Sequence, residues 1–393
     1  MSQSTEDLKG LLEKVLSEGE GMAGLTVHEV RISSCTKPGD NFMSAVSAVE
    51  VDGTLPGGTP YKKSVFVKRP VGGAEHTQTY RIDDAFSNET VMYQQVLPLY
   101  GVTSPCPWCY YAGSDVIVLE DLRLGGYVMG ERRAGFDLST AQHVLKALAR
   151  LHAGSYHAKL TNKANFSTAI SQLKPIGFVL SQNKDMVETS LQRAINMVAG
   201  VEDVKDVLPV LRNFQGRVTE IMRDLRKTEK ITVVTHGDFW LNNLMVHKGS
   251  NDPVKIVDLQ ACSVSSPAVD VWTFLYTSIA PSFMESGNFN QLLWVYITSF
   301  LEHLEDLKIP AHHTPSSTEF LSELKSKELY GFFAGTMYLP ALELTANVPD
   351  FDSISKEQTL DDDFALQFFG PELKSRIRNL VRLCKERGVF ENL

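Results

Sequence analysis

Apolar and polar positions alternate in blocks along this 393-residue chain, and the period of the alternation changes along it. Residues 6–17 read as a short amphipathic helix. From about 27 to 70 the period falls to two, in VHEVRIS, SAVSAVEV and KKSVFVKR. Turn-rich stretches separate these runs, at Pro38-Gly39-Asp40-Asn41 and across Gly53–Pro60, so strands are expected. A helix is expected over roughly Asp84 to Val96, with Pro98 just beyond its end. Two further strand-like pieces, CYYAG and DVIVLEDL, close this block near residue 122. After Gly125-Gly126 nearly everything reads as helix. In LSTAQHVLKALARLHAGSYH, apolar residues at 141, 144, 145, 148 and 151 follow the helical period. One β island, 231–258, interrupts the helices. The pattern predicts an α+β chain with a small, mainly antiparallel β lobe over 1–121 and a large helical lobe over 122–393, hinged at about 119–123. There are no internal repeats or low-complexity tracts.

Composition narrows the classes of function. Net charge is -9, and no run of five Lys/Arg occurs. Nucleic-acid binding, which needs a basic face, is therefore not expected. The first residues, MSQSTEDLKGLLEKVL, lack the basic and apolar regions of a signal peptide. No apolar run is long enough to predict membrane insertion. Five scattered cysteines fit a reducing compartment better than a disulfide framework. A soluble, cytoplasmic protein is expected, with a monomer favoured.

The candidate chemistry lies in THGDFWLNNLMVHKGSNDPVKIVDLQ, residues 235–260. The runs LMV and VKIV flank the turn-rich HKGSNDP. A hairpin folded about Ser250-Asn251 would return Asn243 and Asp258 side by side. An amide oxygen beside a carboxylate suits Mg²⁺ shared with substrate phosphates. Asp238, on the loop before Asn243, would face the same space without needing to bind metal. It is thus left to accept a proton from an attacking hydroxyl. His236-Gly237-Asp238, four residues and Asn243 together match the H-x-D-x₄-N pattern of kinase catalytic loops. Turn capping alone would explain an isolated Asp-x₄-Asn. It leaves the leading His-Gly and the hairpin to Asp258 unexplained.

Phosphoryl transfer also needs a cation for the phosphates. Lys68 ends an apolar strand in SVFVKRP and shares a face with Phe66. In AFSNETVMYQQVLP, Glu89 falls within the apolar stripe of Phe86, Tyr93 and Val96/Leu97. An unpaired carboxylate there would cost several kcal/mol or be neutralised, so Lys68 is its expected partner.

These blocks make the chain recognisable. It resembles the ecdysteroid kinase-like family, a branch of the choline kinase and aminoglycoside phosphotransferase group. The resemblance rests on GDNFMS (39–44), VFVKRP (65–70), FSNETVMYQQVLP (86–98), VLEDL (118–122), ALARLHAGS (147–155), THGDFWLNNLMV (235–246), VDLQ (257–260) and SSPAVDVWTFLY (265–276). It implies a protein-kinase-like two-lobe fold, with ATP and Mg²⁺ used to phosphorylate a small-molecule hydroxyl. Asp238 would be the catalytic base or hydroxyl-orienting acid, and Asn243 and Asp258 would hold the metal. Lys68, fixed by Glu89, would contact the ATP phosphates. Backbone groups at Glu120 and Leu122 would receive adenine, with Asn41 to Ser44 near the nucleotide. The triplet Asp258-Leu259-Gln260 departs from the family's Asp-Phe-Gln but keeps an apolar anchor.

Several other residues have simpler readings. His236 is expected to brace the loop by bonding to backbone near Asp258. His152 is read as a core histidine, and Asp270 as a helix cap that also ties down the catalytic-loop backbone. Cys106-Pro-Trp-Cys109 has no second cysteine pair at zinc spacing and is not read as a redox motif. Asp361-Asp362-Asp363 is read as a solvated helix start. Most aromatics of the helical lobe, Tyr338 among them, are expected in the core; Trp240 is the one expected to touch the acceptor. A steroid-like or xenobiotic alcohol is the favoured acceptor, and an aromatic cage with acids would suit a choline-like cation instead. A catalytically inactive nucleotide- or ligand-binding protein on the same fold is the alternative. A protein kinase is disfavoured by the missing glycine-rich loop and Ala-Pro-Glu element.

Overall fold

A computed structural model of the chain describes residues 5–34, 44–70, 81–177, 184–228, 230–344, 369 and 372–391. The fold is α+β, an antiparallel sheet lobe followed by a helical lobe. Helix α1 (Thr5–Gly19) precedes strands β1 (Thr26–Ser34), β2 (Ser44–Leu55) and β3 (Thr59–Pro70). Helix α2 (Ile82–Val91) follows, then β4 (Cys109–Ala112) and β5 (Ile117–Glu120). These five strands form one antiparallel sheet in the order β1-β2-β3-β5-β4. Period-2 alternation divides its two faces. Val49, Val51, Val65, Val67 and Val118 pack with Leu8, Leu12, Val15 and Leu16 of α1 in one core. Phe66 and Lys68 take the opposite face, and Phe66 packs against the core of the helical lobe.

Helix α2 is shorter than the expected 84–96 run. Its α geometry ends at Val91, and the chain continues through a π turn at Met92–Val96 and a 3₁₀ turn at Leu97–Leu99. Pro98 cannot donate the backbone bond that a continuing α-helix would need.

The remainder is built from β6 (Val128–Met129), α3 (Leu138–Thr161), α4 (Lys163–Ile170), α5 (Lys184–Val198), α6 (Leu208–Asn213) and α7 (Val218–Leu225). Then come β7 (Val233–Thr235), β8 (Leu244–Val246), β9 (Val254–Ile256), β10 (Ser263–Ser265), α8 (Ala268–Ser278), α9 (Ser286–Asp306), α10 (Ser317–Lys325), α11 (Glu328–Leu342) and α12 (Leu373–Glu386). Helix α3 starts at an N-cap, where Asp137 accepts the Thr140 N–H at 2.7 Å. Every residue of α8 is buried. It forms the axis on which the 231–265 region is mounted. The β island is larger than expected, because β10 pairs with β7 and β6 pairs with β8. Among the described residues, no helix is long and apolar enough to cross a membrane.

Candidate active site

Strand β7 leads straight into His236-Gly237-Asp238, and a buried carboxylate fixes the turn. Asp270, in the first turn of α8, accepts the backbone N–H groups of His236 at 2.6 Å and Gly237 at 2.9 Å. His152 Nε2 approaches the same carboxylate at 3.0 Å, and the Tyr296 hydroxyl lies 2.7 Å from His152 Nδ1. Burial alone would raise the Asp270 pKa. The hydrogen bond and charge of His152, with His236 and the Gly237 N–H, hold it below the usual carboxylate value. Gly237 has φ +81°, and a Cβ there would run into the Ala261 carbonyl oxygen, so the position requires glycine. His236 Nε2 lies 2.9 Å from the Val257 carbonyl. It braces the loop against the residue preceding Asp258.

This anchored turn presents Asp238 beside Asn243. The Asn243 side-chain amide donates to the Asp238 carbonyl at 2.8 Å and to Asp238 Oδ2 at 2.7 Å. The second carboxylate oxygen, Oδ1, accepts the hydroxyl of Tyr338 at 2.5 Å. Burial pushes the Asp238 pKa up and is the largest influence; the Tyr338 bond, His236 and Asn243 oppose it, and the charge of Asp258 reinforces it.

The β8–β9 hairpin forms, with a register offset by one from the expected fold about Ser250-Asn251. Leu244 faces Ile256, and Val257 N–H donates to the Asn243 carbonyl at 3.0 Å. Asn243 therefore stands opposite Val257 rather than Asp258. Asp258 leaves the strand in a left-handed conformation, φ 69° and ψ 71°. Such backbone is uncommon outside glycine and concentrates at functional sites.

Asp258 reaches across to the sheet lobe. Its Oδ1 lies 2.6 Å from Lys68 Nζ, and Lys68 also meets Glu89 Oε2 at 2.5 Å. Glu89 is only 1% exposed. Burial would lower the Lys68 pKa, but Asp258 and Glu89 more than offset it and hold it above the ordinary lysine value. Burial raises the Glu89 pKa against the opposing charge of Lys68.

At the hinge, the Glu120 N–H donates to the Trp108 carbonyl at 2.9 Å. Glu120 also stands opposite Val65 in the sheet. Leu122 opens a 3₁₀ turn, where an N–H has no intrahelical acceptor. Asn41 lies outside the described residues, as does Asp361-Asp362-Asp363. Ser44 begins β2.

Among the described residues, no group of three or more His, Cys, Asp and Glu side chains could hold a metal ion. The oxygen donors of Asn243 and Asp258 nevertheless fit Mg²⁺. The Asn243 contacts with Asp238 use Nδ2 alone, leaving Oδ1 as a ligand oxygen. Mg²⁺ is commonly held by one or two protein groups, with waters and substrate phosphates completing its shell.

The model of the ecdysteroid kinase-like family matches residues 38–309, a span containing every residue of this cluster except Tyr338. The chain belongs to the ecdysteroid kinase-like family. Its fold is that of a choline kinase from Cryptosporidium parvum, at a TM-score of 0.50 and 10% identity, covering 98% of this chain and 96% of that one. An ethanolamine kinase from Plasmodium vivax is similar at 11% identity and a TM-score of 0.45, covering 98% and 91% of the two chains. An aminoglycoside phosphotransferase from Alicyclobacillus acidocaldarius gives 13% identity and a TM-score of 0.41, covering 87% of each. A search of curated proteins found no match.

Tyr338 is the contact that the motif did not reveal. It sits on α11, which is apolar around most of its circumference, and so reads as core. A tyrosine among apolar neighbours was the only available signal. Trp240 lies against it, with ring centroids 4.9 Å apart. The Trp240 indole N–H is buried and has no hydrogen-bond partner among the described residues. Cys106 and Cys109 are free thiols, each pushed up to about 12 mainly by burial, so neither is an activated nucleophile at neutral pH.

Proposed function

We propose that this chain is an ATP- and Mg²⁺-dependent kinase that transfers the γ-phosphoryl group to a hydroxyl of a small acceptor. Its lobes, residues 1–121 and 122–393, would act together as a monomer in the cytoplasm. The observation that carries this reading is the cation of Lys68, held between Glu89 and Asp258 across the two lobes, with Asp238 and Asn243 in the adjoining loop. A protein that only bound nucleotide would have no need of a carboxylate held at both oxygens beside that cluster.

In this reading backbone groups of Glu120 and Leu122 receive adenine, and Lys68, fixed by Glu89, binds the phosphates. Ser44, the first residue of β2, would lie near them. Asn243 and Asp258 hold Mg²⁺, which when bound neutralises charge on the phosphate oxygens. Asp238 orients the acceptor hydroxyl and takes its proton. The indole N–H of Trp240, without a partner among the described residues, favours a contact with an acceptor oxygen, since buried donors are rarely left unpaired. The acceptor favoured is a steroid-like or xenobiotic alcohol.

The test is mass-spectrometric. The protein and its Asp238→Asn variant are incubated with Mg·ATP and a panel of sterols, ecdysteroids, phenolic glucosides, choline analogues and aminoglycosides. A phosphorylated product made only by the unaltered protein supports the reading and names the acceptor class. Nucleotide binding without any product would favour the inactive, binding-only alternative.

A further inference from the structure

The Asp238 carboxylate is held at both oxygens, and its two partners come from distant parts of the chain. Asn243 holds Oδ2 from within the same loop. Tyr338, 100 residues further on, holds Oδ1 through its hydroxyl. That hydroxyl is not a loose surface group. Tyr338 is 6% exposed and its ring lies against Trp240, 4.9 Å between centroids at 50°. Just beyond the end of its helix, Glu343 pairs with Arg376 at 3.0 Å and lies 3.7 Å from Arg133. The helix carrying Tyr338 is therefore anchored just beyond its C-terminal end.

We propose that Tyr338 is a positioning residue for the transfer reaction, fixing the orientation of the Asp238 carboxylate jointly with Asn243. The inference rests on the kinase reading above. An ionised carboxylate offers about four lone-pair sites. Tyr338 and Asn243 occupy one on each oxygen, so an acceptor hydroxyl still finds a site. Donors on both oxygens fix the plane of the group. With one removed, the carboxylate can turn about its terminal torsion, which is broad for aspartate. Alignment of the acceptor hydroxyl then weakens, and alignment carries much of the rate in a reaction that depends on positioning.

Tyr338→Phe removes the hydroxyl and keeps the ring against Trp240. Steady-state kinetics with Mg·ATP and the panel compound that gains phosphate should show kcat lowered roughly 10- to 100-fold, less than the roughly 100- to 10,000-fold of a general base, because Asp238 itself remains. KM for Mg·ATP should be unchanged and the chain should remain folded at the assay temperature, a split from kcat that a merely structural role would not produce. Wild-type kcat in Tyr338→Phe would overturn the inference. So would a raised kcat/KM for the acceptor, which would mean that the hydroxyl obstructs the acceptor's place. Either result with an active wild-type protein leaves the kinase reading intact. A wild-type protein that transfers no phosphate to any compound overturns that reading and this inference with it.

Discussion

Lys68 and Glu89 meet at 2.5 Å, with the glutamate side chain 1% exposed to solvent. Removing one partner of a buried pair leaves an uncompensated charge, at a cost of about 3–5 kcal/mol. Lys68→Met should therefore destabilise the protein by that order in urea unfolding. Adding Glu89→Gln should recover a large part of the loss, because a neutral amide tolerates burial better than a carboxylate. Equal midpoints for the wild-type protein and Lys68→Met would show that the pair has no structural weight.

Asp258 is the proposed metal ligand on the hairpin side, and it also holds Lys68. Calorimetric titration of ATP with and without Mg²⁺ separates the two contacts. Asp258→Asn should lose the Mg²⁺-dependent part of ATP affinity, while circular dichroism shows a folded chain. Undiminished Mg²⁺ dependence would refute the metal assignment.

Asp270 gathers the His236 and Gly237 N–H groups and His152 around one buried carboxylate. Its folded pKa lies below the ordinary value of 3.8. A depressed carboxylate pKa contributes stability that is present above the unfolded value and lost as pH falls through the lower, folded one. Asp270→Asn should melt several degrees lower than the wild-type protein at pH 6. The gap should narrow below about pH 3.8, through the loss of this ionisation. A gap constant down to pH 3 would place the stabilisation elsewhere.

Gly237 is left-handed at φ +81°, and a Cβ there would collide with the Ala261 carbonyl oxygen. A left-handed residue with a Cβ costs roughly 1–2 kcal/mol before any collision. Gly237→Ala should lower stability by at least that much and reduce phosphoryl transfer through the displaced Asp238. Wild-type turnover in this variant would show that the loop tolerates a shift the geometry does not provide for.

Much of this arrangement was legible from residue spacing. Strands β1 to β3 and β5 announced themselves by alternation, and Glu89 within an apolar stripe pointed to a cationic partner. His236-Gly237-Asp238 and Asn243 marked the loop. The β8–β9 hairpin was placed correctly except for its register, because turn chemistry locates a reversal without specifying which residues pair. Strands β6 and β10, of two and three residues, are too short to show a period. The Tyr338 bond to Asp238 could not be read from local pattern, since it joins positions 100 residues apart. The end of α2 at Val91 is not legible in the spacing, because the chain stays helical through the π turn at Met92–Val96.

Asn88, next to Glu89, joins its helix to the larger lobe at two places. Its side chain donates to the carbonyls of Lys174 at 2.9 Å and Gln260 at 3.0 Å, and accepts the Lys174 N–H at 2.7 Å. The helix that supplies the glutamate is thus bolted beside Asp258, not hinged. An on–off control by swinging that helix outward would have to break three buried or half-buried bonds at once. In the proposed kinase, output would then follow the supply of nucleotide and acceptor rather than a swing of that helix.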